Sequence, residues 1–251
     1  MTYYNCYFSP TGGTKKAADA VASGWGAEFI PVDLLRGVPE ITWTADDVCL
    51  MAVPSYGGRI PAPVAETLSH MDGNGARAVL IAVFGNRAID DTLLELSDVL
   101  KASGFRCAAA MEAVAQHSLI RGFGAGRPDE DDQAELRRFA VQIRDALENG
   151  TASDDVKVPG NRPYREYHGV PMKPATACAC IQCGICAREC PVGASPLDIC
   201  RRTDNKKCIS CMHCVSVCPK HARRVPRLMK LVAAQKMKSS CSDRKPNQLY
   251  L

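Results

Sequence analysis

The chain has 251 residues, 46% of them hydrophobic and 23% charged, which excludes a fibrous repeat or extensive disorder and points to packed cores. Its net charge of +4 is uneven: residues 1–175 hold 17 Lys and Arg against 23 Asp and Glu, whereas residues 176–251 hold 14 against 4. Of the 14 cysteines, three precede residue 176 and eleven follow it, so the second part is basic and rich in thiols.

No stretch reaches the roughly 18 apolar residues of a membrane span. The N-terminus lacks the basic and apolar regions of an export signal. The expected compartment is the cytoplasm, where thiols stay reduced, so cysteines in this number favour metal over disulfides.

In chain order, short apolar runs predict strands over 3–8, 28–32, 48–53, 78–84 and 106–114, with helical periods between them. Val64, Leu68 and Met71 follow Pro61 and Pro63 at helical spacing. Ile89, Leu93, Leu96 and Leu100 form a second stripe, ending before Gly104. Leu136, Phe139, Ala140, Ile143 and Leu147 form a third, opened by acidic residues 129–132 and closed by Gly150. Apolar strands alternating with helices predict a doubly wound, five-stranded parallel sheet over residues 1–150, with ligands beyond the carboxyl ends of its strands.

The loop after the first strand is Ser9-Pro10-Thr11-Gly12-Gly13-Thr14. Its hydroxyls and glycines surround a helix N-terminus, which suits a phosphate. The spacing and lysine of a P-loop are missing, as is a dinucleotide glycine pattern; a capped strand-to-helix turn is the plain alternative. Later loops carry Ser55, Tyr56, Gly57, Gly58 and Arg59, then Phe84, Gly85, Asn86 and Arg87, then His117 and Ser118.

Together these loops resemble those of flavodoxins, in which the first holds the FMN phosphate and the later ones flank the isoalloxazine ring. The resemblance implies Tyr56 first, and Phe84 second, as the aromatic against the ring. It departs from the common pattern in that Trp25 and Trp43 lie in neither ring loop. Residues 151–175, with Pro159, Gly160, Pro163, Gly169, Pro171 and Pro174, read as an extended linker. Tyr164, Tyr167 and Val170 suggest that it packs against something.

The C-terminal part repeats one spacing at an interval of 28 residues. Cys180, Cys183, Cys186 and Cys190 precede Pro191, and Cys208, Cys211, Cys214 and Cys218 precede Pro219. This C-x2-C-x2-C-x3-C-P run is the pattern of two-cluster bacterial ferredoxins, where the fourth cysteine of each run ligates the other cluster. Two [4Fe-4S] clusters follow, one on Cys180, Cys183, Cys186 and Cys218, the other on Cys208, Cys211, Cys214 and Cys190. A zinc ribbon needs only four ligands. Cys178, Cys200, Cys6, Cys49, Cys107 and Cys241 stand outside the pattern and read as bystanders. A small α+β ferredoxin domain is expected over 176–225, unfolded without metal, followed by a basic tail over 226–251 read as a solvated helix.

The whole resembles a flavodoxin–ferredoxin fusion of the EFR1-type family, also through its Gly-Asn-Arg and Gly-Arg-Pro-Asp-Glu segments. The resemblance implies an electron-transfer protein of anaerobe type that couples one- and two-electron steps between the clusters and FMN, serving a redox partner protein or a small-molecule acceptor or donor. Two alternatives stay open: a flavin-dependent reductase with Arg59, Arg87 or His117 as proton donor, and a non-catalytic iron–sulfur sensor. No nucleic-acid surface is expected, because the basic tail lacks interleaved aromatics. A homodimer is compatible with the sequence.

Overall fold

A computed structural model describes residues 1–251. The strands of the first part are β1 (Tyr3–Tyr7), β2 (Ile30–Asp33), β3 (Val48–Pro54), β4 (Arg77–Phe84) and β5 (Arg106–Val114), all parallel, in the order β2-β1-β3-β4-β5. This is the flavodoxin-like strand order. The helices are α1 (Gly13–Trp25), α2 (Ala62–Ser69), α3 (Thr92–Ala102) and α4 (Glu130–Glu148). Between β2 and β3 only a short 3-10 turn, Leu34–Arg36, intervenes.

The strands are apolar throughout because both faces are covered. In β3, Val48, Leu50 and Ala52 join one core while Cys49, Met51 and Val53 join the other, as a period of two requires. One core is closed by Ala17, Val21 and Trp25 of α1 with Leu136, Ala140 and Ile143 of α4. The other is closed by Leu68 of α2 with Leu93, Leu96 and Leu100 of α3. Cys6, Cys49 and Cys107 are fully buried in this second core, where burial pushes each thiol's pKa upward. They behave as small hydrophobes. Asp129 opens α4 with a reciprocal capping box to Asp132.

The sheet has six strands, not five. β8 (Gln248–Tyr250) adds to the β5 edge, antiparallel, pairing Ala110 with Tyr250 and Glu112 with Gln248. The tail is therefore not simply a solvated helix closing the thiol-rich unit. Its helix, α7 (Arg227–Cys241), leaves that unit and delivers the chain end back to the first sheet. Asn247 accepts from the Val114 N–H at 2.9 Å and donates to Asp132 and Glu135. Three residues in a row carry too little periodicity to mark a strand in sequence.

Residues 151–175 form a strap docked along α3. Val156 is buried in the sheet's core. The buried carboxylate of Asp91 accepts from the backbone N–H of Asn161 (2.8 Å) and of Arg165 (2.7 Å). Burial opposes its ionisation, but these N–H bonds outweigh it and hold the carboxyl below its ordinary range.

The thiol-rich unit contains β6 (Ala175–Thr176), α5 (Ile185–Arg188), α6 (His213–Ser216) and β7 (Arg223–Arg224), with β6 and β7 antiparallel. The fold is thus an α/β flavodoxin-like sheet followed by a small α+β unit of ferredoxin type. Ile120, Met172, Met212 and Val225 join the two parts in one apolar cluster. No helix is long and apolar enough to cross a membrane.

Candidate functional site

The loops after β1, β3, β4 and β5 meet at the carboxyl end of the sheet, where strand order reverses between β1 and β3. They enclose a cavity lined by Thr11, Gly13 and Thr14, by Ser55, Tyr56 and Gly57, by Phe84, Gly85 and Arg87, and by His117 and Ser118. At the helix start, Gly12 takes φ +87°, a left-handed conformation that glycine adopts without strain. Ser9 Oγ accepts from Lys15 N–H at 2.8 Å, which leaves the N–H groups of Gly13 and Thr14 without an acceptor in the chain. Two free amides at the positive end of a 13-residue helix suit an anion.

Five sequence candidates serve elsewhere. Ser9 caps α1, and Gly12 lines a neighbouring groove. Gly58 lies against Asp90 and Arg165. Arg59 binds both oxygens of Glu95 (2.6 and 2.7 Å) and the carbonyl of Arg165, which anchors the strap. Asn86 donates to the carbonyls of Cys241 (2.6 Å) and Asp243 (2.9 Å), which anchors the C-terminal segment. None of the five lines the cavity.

The cavity has walls that the loops alone do not predict. Tyr167, Val170 and Met172 come from the strap, Met237 from α7, and Ile209 and Ser210 from the stretch between Cys208 and Cys211. Tyr167 lies so close to Gly57 that a Cβ there would sit 2.3 Å from its ring. The Tyr56 hydroxyl is pushed well above its usual pKa by burial and then by the neighbouring Cys211, Tyr167 and Cys208. The thiol-rich unit also touches the phosphate-type loop directly. His213 Nδ1 (2.8 Å) and Ser216 Oγ (2.9 Å) both bond to the Pro10 carbonyl.

Each of the three candidate proton donors has a partner or surroundings that engage it. Arg59 is held protonated by Glu95, and Arg87 is paired with Asp90. Burial, then Arg87, lowers the His117 pKa to about 4. His117 Nδ1 accepts from the Leu119 and Ile120 N–H groups at 3.2 Å each, so the ring proton resides on Nε2.

The thiols form two groups. A small cavity is lined by Cys180, Cys183, Cys186 and Cys218, with Cys200 in its wall. Around Cys211 stand Cys214, Cys190 and Cys208; burial, then these sulfurs, push its thiol up to about 12. The 28-residue repeat is preserved in backbone detail. Positive φ recurs at Gln182 and Ser210, at Gly184 and Met212, and at Gly193 and His221. The same N–H bonds to sulfur recur too: Gln182 to Cys180 and Ser210 to Cys208 at 3.4 Å, Ala194 to Cys190 and Ala222 to Cys218 at 3.2 Å.

No three His, Cys, Asp or Glu side chains converge as a single metal ion requires. The surroundings fit an anionic, thiolate-held group. Arg223 is buried to 2% exposure, bonds to Thr176, Ser195 and Thr203, has no carboxylate partner, and leaves its Nε unsatisfied. A buried lone cation is costly unless negative charge lies beside it.

A family described as a 4Fe-4S binding domain matches residues 202–224, which include Cys208, Cys211, Cys214 and Cys218. Solved structures similar to the first part include a flavodoxin of Streptococcus pneumonia TIGR4, at 20% identity and TM-score 0.41, covering 59% of this chain and 99% of that one. Rubredoxin oxygen:oxidoreductase from Desulfovibrio gigas matches at 17% identity and TM-score 0.43, covering 59% of this chain and 36% of that one. A Fusobacterium nucleatum flavodoxin bound to flavin mononucleotide matches at 15% identity and TM-score 0.40, covering 57% and 97%. No curated protein matches the chain in sequence. Strand order and thiol spacing thus define the class: a flavodoxin-like sheet joined to a ferredoxin-type unit.

Proposed function

We propose that the chain is an electron-transfer protein that holds FMN in the loop cavity and two [4Fe-4S] clusters on the crossed sets Cys180, Cys183, Cys186, Cys218 and Cys208, Cys211, Cys214, Cys190. Clusters of this kind pass single electrons and a flavin takes one or two, so the pair links one-electron to two-electron chemistry. The observation that carries this reading is the position of Ile209 and Ser210. They lie between two cysteines of the second set and at the same time form the wall of the loop cavity.

The chain's own contribution is position and charge. Gly13 and Thr14 amides receive the phosphate, and Tyr56 and Tyr167 bound the ring end. The N–H groups of Gln182, Ala194, Ser210 and Ala222 donate to four of the eight sulfurs, and at Cys218 burial opposes ionisation but backbone N–H bonds outweigh it and lower the thiol pKa. The Pro10 contacts of His213 and Ser216 fix the distance between the two centres. A reductase with its own proton donor is disfavoured by the states of Arg59, Arg87 and His117.

Anaerobic purification followed by a visible spectrum and assays of iron, acid-labile sulfide, zinc and FMN tests the reading. Iron and sulfide in equal amounts together with FMN are expected. Zinc without sulfide would overturn the cluster assignment, and clusters without FMN would overturn the cavity assignment and favour a sensor.

A further inference from the structure

Beside the loop cavity lies a second, wider concavity of about 870 Å³, bounded by the flavodoxin-like loops on one side and by the thiol-rich unit and α7 on the other. The two cavities share Thr11, Gly13, Gln116, His117, Ser118 and Leu119. Lys16, Arg121, Arg127, Arg224, Arg227 and Lys230 line the groove, and no Asp or Glu does. Of these only Arg127 makes an ion pair, with Asp132, as Arg59, Arg87 and Arg165 do with carboxylates elsewhere; the other five make none. Five cations gathered without counter-charge repel one another and attract an anion.

We propose that this groove binds an organic anion carrying a diphosphate, of the nucleoside diphosphate class. Five unpaired cations call for more than one negative charge, and three of them are guanidinium forks matched to phosphate oxygens. Leu231 and Ile120 supply apolar wall for the organic portion. The site is concave and of the size that small ligands occupy, about 300–1,000 Å³, rather than a flat face. The groove adjoins the phosphate loop of the function proposed above and shares Thr11 and Gly13 with it, but the cations that carry this proposal stand on its outer walls, and the titration below is read independently of flavin content.

Calorimetric titration of the full-length, anaerobically purified protein with ADP, AMP and inorganic pyrophosphate tests it. ADP is expected to saturate one site and to bind about tenfold tighter than AMP, weakening as salt rises. The Arg224→Glu/Lys230→Glu variant should lose about tenfold or more in ADP affinity, and Arg138→Glu, an exposed site on α4, should lose none. If the double variant fails to fold by circular dichroism, Arg121→Gln, on the opposite wall, replaces it with the same expected direction. Absence of saturable ADP binding overturns the proposal. So does an equal loss in Arg138→Glu, or binding of polyglutamate without ADP, which would mark a surface for an acidic protein. Release of fluorescent flavin on ADP addition would place the nucleotide in the phosphate loop and also overturn it. A protein purified without flavin would overturn the function proposed above and leave this titration readable.

Discussion

The guanidinium of Arg223 reaches Cys214 Sγ at 4.0 Å and has no carboxylate partner. It also lowers the pKa of Cys186 and Cys218, although for Cys186 and Cys214 burial outweighs it. One buried cation therefore serves sulfurs of both sets. Arg223→Met removes this charge, so adding an electron nearby should become harder. Two unit charges several ångströms apart at an effective dielectric near 20 interact by about 2 kcal/mol, which is on the order of 100 mV for one electron. Redox titration followed by electron paramagnetic resonance should show the reduction potentials fall, with Arg223→Lys falling less. Unchanged potentials in a variant that retains its iron would refute this role.

Gly57 has φ +63° and its missing Cβ leaves room for the Tyr167 ring. Gly57→Ala should cost about 1–3 kcal/mol through backbone strain and displacement of Tyr167. Because both residues wall the loop cavity, flavin affinity should fall while iron content stays unchanged. Fluorescence of released flavin measures the first and an iron assay the second. Parallel loss of iron would mean that the strap supports both sites together.

His117 supplies a pH dependence with a definite sign. Its folded-state pKa is about 4, against an ordinary value of 6.5, because of burial and then Arg87. Between these values the unfolded chain binds a proton that the folded chain does not, so stability is complete above about 6.5 and declines as the pH falls toward 4. Urea unfolding at pH 7 and pH 5 should show a smaller difference for His117→Asn, whose carbonyl can still accept an N–H bond, than for the natural chain. Equal differences would assign the acid sensitivity to other groups.

Iron removal should affect the two parts unequally. The flavodoxin-like sheet rests on buried clusters of 25 and 19 residues, whereas the thiol-rich unit has one of three and shares one of four with its neighbours. Treatment with a chelator under reducing conditions should abolish hydrogen-exchange protection across residues 176–225 and leave β1, β3 and β4 protected. Uniform loss across the chain would show that the sheet cannot stand without the second unit.

The features that were legible in sequence are those set by local spacing. The five parallel strands show as apolar runs because each buries both faces, and the cysteine repeat shows because each set of three ligands lies within seven residues. What escaped depends on contacts between distant segments. Arg59 and Asn86 stand in the expected loops, yet Arg59 answers to Glu95 and the strap, and Asn86 to the carbonyls of Cys241 and Asp243. Tyr167, Ile209 and Met237 reach the cavity from three separate segments, and no periodicity links them. The carboxylate of Asp91 takes its N–H donors from residues 70 and 74 positions away, a pairing no local spacing marks.

The return of the chain end to β5 changes what kind of joint connects the two parts. With β8 paired to Ala110, Met111 and Glu112, the thiol-rich unit is an insertion fastened at both ends, by the strap before it and by α7 and β8 after it. A carrier on a single flexible tether must search for its partner site, and its rate then depends on linker length and solvent viscosity. A unit held at two anchorages has no such search to make. The separation between its sulfurs and the loop cavity is a property of the scaffold, so lengthening the strap alone would leave the second anchorage still holding the unit in place.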